Sequence, residues 1–159
     1  MEPTVFPIVV GICLTSPMTD NDDTADIDVT IETEITDLDG DGVADMVTET
    51  TTTVVDVDDD GVADVVEQTV TTMVDVDGDG VADVVEEVTT TLIDIDGDGV
   101  VDIVQQTTTT SIDVDGDGVP DIVETTVATG VDLDGDGEFS ADEIEVEGEL
   151  DVREDLVDD

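Results

Sequence analysis

Aspartate recurs along this chain at a spacing that suits one kind of chemistry, the wrapping of carboxylate oxygens around a hard cation. In DVDGDGVADVV (75–85), Asp75, Asp77, Asp79 and Asp83 stand at positions 1, 3, 5 and 9 of a tight loop. Gly80 falls at position 6, where the chain must turn sharply, and Val81 at position 7, where a backbone carbonyl can join the ligand set. The same pattern places Asp37, Asp39, Asp41, Val43 and Asp45 in a first loop and Asp56, Asp58, Asp60, Val62 and Asp64 in a second. It recurs as Asp94, Asp96, Asp98, Val100 and Asp102, and again as Asp113, Asp115, Asp117, Val119 and Asp121. A sixth loop, DLDGDGEFSADE, offers Asp132, Asp134, Asp136, the carbonyl of Glu138, Ser140 and Glu143 at positions 1, 3, 5, 7, 9 and 12. The donors are all oxygens and the chain has no histidine, so calcium, at about six ions, is the expected cofactor rather than zinc or copper.

The charge balance points the same way. Among 159 residues, 48 are acidic and one, Arg153, is basic, for a formal net charge of -47. Self-repulsion of that size opposes compaction unless cations are bound, so folding and calcium binding are expected to be coupled. Acidity alone would not set Asp at positions 1, 3, 5 and 9 with Gly at 6 in loop after loop. A polyanion of this kind cannot neutralise phosphates, which excludes nucleic acid and anionic membrane as partners. With a single cysteine, Cys13, and no His, Trp or Tyr, the usual nucleophilic triads are missing, and the loops account for the conspicuous carboxylates. The chain is therefore not read as an enzyme.

The elements that must position these loops follow from their spacing. The loops begin at Asp37, Asp56, Asp75, Asp94, Asp113 and Asp132, a constant step of 19 residues, which is the mark of a repeat array. Between them lie MVTETTTTVV (46–55), VVEQTVTTMV (65–74), VVEEVTTTLI (84–93) and IVQQTTTTSI (103–112), rich in β-branched residues and without a turn residue. Each reads as one continuous strand. The expected fold is all-β, a repetitive antiparallel β-meander of 19-residue repeats joined by calcium-binding loops that alternate between two edges. The alternative is a parallel β-solenoid with one coil per repeat, which needs a second corner inside the Thr run.

Several local departures carry expectations of their own. Ile27, Val29 and Ile31 alternate with polar residues as a strand leading into the first loop. Asp59 occupies position 4 of the second loop where the others have Gly, so a slightly different backbone is expected there. Gly130 is expected to interrupt the strand before the sixth loop, and the acidic sequence after that loop to begin as a short helix. Glu143 is expected to reach the ion only if a helical turn follows.

Residues 1–18 form the one markedly apolar region, whose run from Val5 to Leu14 is too short to span a bilayer. It reads as a signal remnant or atypical signal, as a joining strand that adds to a sheet edge of this or a neighbouring subunit, or as a tail. Residues 19–26 read as a linker, 27–131 as the repeat array, and 132–159 as the sixth loop with an acidic C-terminal cap.

The five inner loops, as in DVDGDGVADVV (75–85), resemble the calcium loops of FG-GAP and VCBS-type repeats of integrin-like propellers and bacterial surface proteins. The sixth is similar to an EF-hand loop or the related dockerin loop. The resemblance covers the loops only. It implies hairpin connectors in extracellular β structure, and the period is far shorter than a propeller blade. The expected protein is an extracellular or cell-surface structural repeat, a filament, stalk or adhesin subunit. It would self-associate as a homo-oligomer or filament by strand addition of the N-terminal segment. The rival is a binding module, ice-binding or calcium-dependent in adhesion, that uses the Thr-rich strand face; the same hydroxyls are candidates for O-glycans.

Overall fold

A computed structural model describes residues 12–13 and 26–153. The expected apolar segment over 1–18 and the linker over 19–26 lie outside the described residues apart from Ile12, Cys13 and Asp26, as do residues 154–159. The strands are β1 (Ile12–Cys13), β2 (Asp26–Thr36), β3 (Met46–Asp56), β4 (Val65–Val74), β5 (Val84–Ile93), β6 (Ile103–Ile112), β7 (Ile122–Val131) and β8 (Ile144–Val152). They form one sheet in chain order, and every neighbouring pair is antiparallel. This is the meander the Val, Ile and Thr runs predict. The parallel solenoid is ruled out, because the Thr runs lie in mid-strand and turn no corner.

Two local expectations are corrected. Among the described residues there is no helix, and the segment after the sixth loop is the strand β8, paired with β7 along its length. IEVEGELDV alternates apolar and acidic residues, and that period of two outweighs the helix preference of its glutamates. Nor does Gly130 interrupt β7, which runs through it to Val131. Its role is steric, since a Cβ there would come within 2.8 Å of the Phe139 ring and 2.9 Å of Val104. The missing side chain lets loop six lay its aromatic ring on the sheet.

Register sorts the side chains onto two faces. On one, Met46 is flanked by Thr36 and Val74; on the other, Val47 is flanked by Ile35 and Met73. The Val47 face carries an aliphatic row along each loop edge, Ile35, Val47, Met73 and Val85 on one side and Val55, Val65, Ile93 and Ile103 on the other. Between these rows, Thr51, Thr69, Thr89 and Thr107 stand in cross-strand register. Such pairs of β-branched residues are the unit of sheet stabilisation, but in a single layer they stay half-covered. Among the described residues no apolar side chain is buried. The buried side chains are Thr36 and four loop aspartates, Asp75, Asp94, Asp113 and Asp121.

Candidate metal centres

Each inner loop is a hairpin connector closed at its base by the N–H of the position-9 aspartate. Asp45, Asp64, Asp83, Asp102 and Asp121 donate to the carbonyls of Thr36, Val55, Val74, Ile93 and Ile112 at 2.8–2.9 Å. The next bonds are made by the position-1 carboxylate, whose two oxygens accept the N–H groups of positions 4 and 6 at 2.6–3.1 Å. Oδ1 at position 3 accepts the N–H of position 5 at 2.9–3.3 Å. Oδ1 at position 5 accepts the N–H of position 7 at 2.7–2.8 Å. Finally Oδ2 at position 9 reaches back to the N–H of position 2, a bond that Leu38 makes to Asp45 and that measures 2.5–2.7 Å in the next four loops. The loop N–H groups thus hold the carboxylates of positions 1, 3, 5 and 9 in place, engaging both oxygens at position 1 and one oxygen at each of the other three.

Turning so tightly requires left-handed backbone at positions 4 and 6. In loop three these are Gly78 at φ 77° and Gly80 at φ 89°. Asp59, at position 4 of loop two, adopts φ 60° and is the one non-glycine residue with positive φ among the described residues. The expected local difference is small, φ 60° beside 71–81° for the glycines at position 4 of the other loops, because the ladder of hydrogen bonds holds Asp59 in the left-handed region. A side chain in this region costs about 1 kcal/mol, less for Asp than for most residues. Asp59→Gly is accordingly expected to stabilise the calcium-loaded protein by roughly 0.5–1 kcal/mol, read as a rise in the thermal midpoint; an unchanged or lower midpoint contradicts the strain.

The carboxylates converge as an ion requires. Asp37, Asp39 and Asp41 in loop one each offer an oxygen within 4.8 Å of the others. So do Asp56, Asp58 and Asp64, then Asp75, Asp77 and Asp83, then Asp94, Asp96 and Asp102, then Asp113, Asp115 and Asp121. Ligands of one calcium ion, at 2.3–2.6 Å from it, lie at most about 5 Å apart, so the spacing fits. Repulsion from Asp60, with burial adding to it, holds Asp58 above the usual carboxylate range, and Asp136 does the same to Asp134. A divalent cation relieves that repulsion.

Loop six reaches the same end with different residues. Asp132 accepts Gly135 and Gly137 N–H at 2.7 and 2.8 Å, and these bonds, Gly137 foremost, hold its carboxyl below the usual range. Position 9 is Ser140, and the bond to position 2 comes from position 12, with Leu133 N–H donating to Glu143 Oε1 at 2.9 Å. Glu143 is folded back by one hydrogen-bonded turn, its N–H donating to Ser140 O at 3.0 Å. The Ser140 hydroxyl, donating to Glu143 Oε2 at 2.6 Å, and the Leu133 N–H lower its pKa. The turn on which the expectation for Glu143 depends is thus present, as one hydrogen-bonded turn from Ser140 to Glu143 with no helix after it. A single turn shortens the path enough, and β8 starts at the next residue. In the inner loops position 12 lies within a strand, as Glu67 and Glu86 do, paired across the sheet with Thr91 and Thr72 and away from the loops.

The loops are also joined to one another, which their spacing in sequence does not disclose. The position-9 carbonyl of one loop accepts the position-1 N–H of the loop two further on. Asp75 donates to Asp45, Asp94 to Asp64, Asp113 to Asp83 and Asp132 to Asp102 at 2.8–3.0 Å. Two rows result, with loops one, three and five on one edge of the sheet and two, four and six on the other. Arg153 ends the first row, its N–H donating to Asp121 O at 2.7 Å as a next loop would. Its guanidinium then lies 3.3 Å from Asp117 Oδ2 and 3.4 Å from Asp121 Oδ1, two of the three carboxylate oxygens at positions 3, 5 and 9 that the loop N–H groups do not engage. The one basic residue of the chain was legible in composition, but its post at loop five was not.

No protein-family model matches the chain, and no curated protein or solved structure matches it at a significant level.

The placement of Arg153 carries a prediction. A guanidinium facing two carboxylates that would hold a divalent ion opposes its binding by about 1–2 kcal/mol even at the dielectric of bulk water. Arg153→Gln is expected to tighten one calcium site about tenfold, measured by titration calorimetry against the parent chain. Superimposable isotherms would show that Arg153 does not compete.

Proposed function

We propose that this chain is a calcium-stabilised structural repeat protein of the cell surface or extracellular space, a subunit of a filament, stalk or adhesin. The observation that carries this reading is that loop aspartates, and no apolar side chain, are buried among the described residues. A single-layer sheet gains little from the hydrophobic effect, so its order must come from the backbone ladder and from cations that pin its two edges. Six divalent ions at these loops would offset about a quarter of the formal charge of -47 where carboxylates crowd most. Free calcium high enough to fill loops of modest affinity is found outside cells, which motivates the location. Both faces of the sheet keep half-covered aliphatic rows, which favours self-association. Electron microscopy of the purified chain with millimolar calcium and with chelator tests this reading: calcium-dependent filaments are expected, and a monodisperse monomer in calcium refutes the assembly.

A second reading, a binding module, is favoured by the half-buried row of Thr51, Thr69, Thr89 and Thr107 in register on one face. Thermal hysteresis, or retention on a glycan array in calcium, would support it over a purely structural role.

A further inference from the structure

We propose that the chain stacks on a second copy of itself through its last strand and its first long strand, the Met46 face of β8 receiving the Val47 face of β2, which the two-residue β1 flanks at Thr30 and Ile31. The inference rests on the self-assembly reading above and specifies the contact. On β8, Ile144, Val146, Leu150 and Val152 share the Met46 face at 41–63% exposure. Glu145, Glu147, Glu149 and Asp151 occupy the opposite face of that strand. On β2 the polarity is inverted: Ile27, Val29, Ile31 and Ile35 share the Val47 face at 37–60% exposure, while Asp26, Asp28, Glu32 and Glu34 lie on the Met46 face. Laid upon each other, the two apolar rows meet and both acidic rows stay in water. Turning either strand over would bury four carboxylates without partners, and joining the strands edge to edge would leave both apolar rows exposed.

Gly148 shows how the rows fit. It is the third of five residues in the β8 row, and glycine inside a strand weakens it. Its own chain does not require it, since a Cβ there would meet Thr125 O and Thr126 Oγ1 at 3.6 Å, an ordinary contact. Gly130, by contrast, has Phe139 against it. A strand glycine with room around it marks a place where another chain comes close. Ile31 is the third of five residues in the β2 row, a knob at the height of the Gly148 notch. Stacking β8 on β8 would set notch on notch and leave a void; stacking β2 on β2 would set Ile31 on Ile31. The complementary contact is therefore heterologous, and a heterologous contact that does not close into a ring builds an open filament.

Sedimentation velocity of the full chain in excess calcium tests this, with far-UV circular dichroism reporting the sheet in each variant. Leu150→Glu and Ile27→Glu alter side chains that are 63% and 60% exposed. Each variant alone is expected to run as a monomer. An equimolar mixture of the two is expected to run as a dimer, because each keeps the surface the other lacks. Gly148→Val, which fills the notch and suits a strand, is expected to weaken association at least tenfold with the sheet intact. Assembly of both Glu variants like the parent, or dimers of either variant alone, overturns the contact, as does full-strength association of Gly148→Val. A parent chain that stays monomeric in calcium refutes the self-assembly reading itself, whereas a parent that assembles together with all three variants refutes this contact only.

Discussion

Adding excess chelator to the folded chain is expected to abolish the sheet, leaving an expanded polyanion by circular dichroism and sedimentation. No aliphatic side chain among the described residues is buried, so the usual reserve of stability is missing. At free calcium about ten times the dissociation constant, one loop adds about 1.4 kcal/mol to folding, and six independent loops add about 8 kcal/mol. That equals the whole net stability of an ordinary domain. Removing the ions also restores the full formal charge of -47, whose repulsion is concentrated in loops where up to five aspartates stand within nine residues. The transition should be steep in calcium, because loops in each row are hydrogen-bonded to one another through Asp45 and Asp75, Asp83 and Asp113, or Asp64 and Asp94. Far-UV spectra that coincide in chelator and in millimolar calcium would contradict this account, and with it the view that metal stands in for a core.

The largest effect of a single side chain is expected at position 9, and loop three offers the clearest case. Asp83 closes the hairpin through its N–H to Val74 O at 2.9 Å and accepts Asp113 N–H at its carbonyl. Its carboxylate holds Val76 N–H at 2.5 Å and presents its other oxygen to the cluster with Asp75 and Asp77. Asp83→Ala removes both carboxylate roles and is expected to cost about 2–4 kcal/mol in calcium, the sum of a charge-assisted hydrogen bond and one ion. The bound stoichiometry should fall from about six to about five. Asp83→Asn keeps an acceptor for Val76 N–H and loses the charge, so it should show the same stoichiometry with a smaller loss of stability. Glu86→Ala, three residues further along β5, is the comparison: its carboxylate lies in the strand opposite Thr72 and Thr110, and the change should fall within about 0.5 kcal/mol. Equal losses at Asp83 and Glu86 would mean that the loop clusters hold no ion.

The places where sequence reasoning went astray share a cause. Residue type alone makes Gly130 a breaker of the strand and Asp59 a sign of a slightly altered backbone. In the fold, Phe139 decides the one, by needing space above β7, and the hydrogen bonds from Asp59 and Gly61 to Asp56 decide the other. Segment 144–152 carried both an acidic, helix-like composition and a strict period of two. The neighbouring edge of β7, with its unpaired backbone groups, favours the strand. Glu143 depends on a helical turn because a strand would carry it away from the loop, and the single turn from Ser140 to Glu143 supplies that turn before β8 begins.

Local spacing by itself determined the strands, the hairpins and the clustering of the loop aspartates, because each of these depends on residues within one 19-residue repeat. A period of two separates the faces of a strand, and a Gly at position 6 shapes a loop, with no help from distant parts of the chain. Tertiary structure alone decided what lies side by side: the pairing of loops into two rows, the guanidinium of Arg153 at loop five, and the opposite polarity of β2 and β8 on the two faces. Those depend on register summed across the whole sheet. A shift of one residue at any hairpin would carry a strand's side chains to the other face, so no single repeat contains the information.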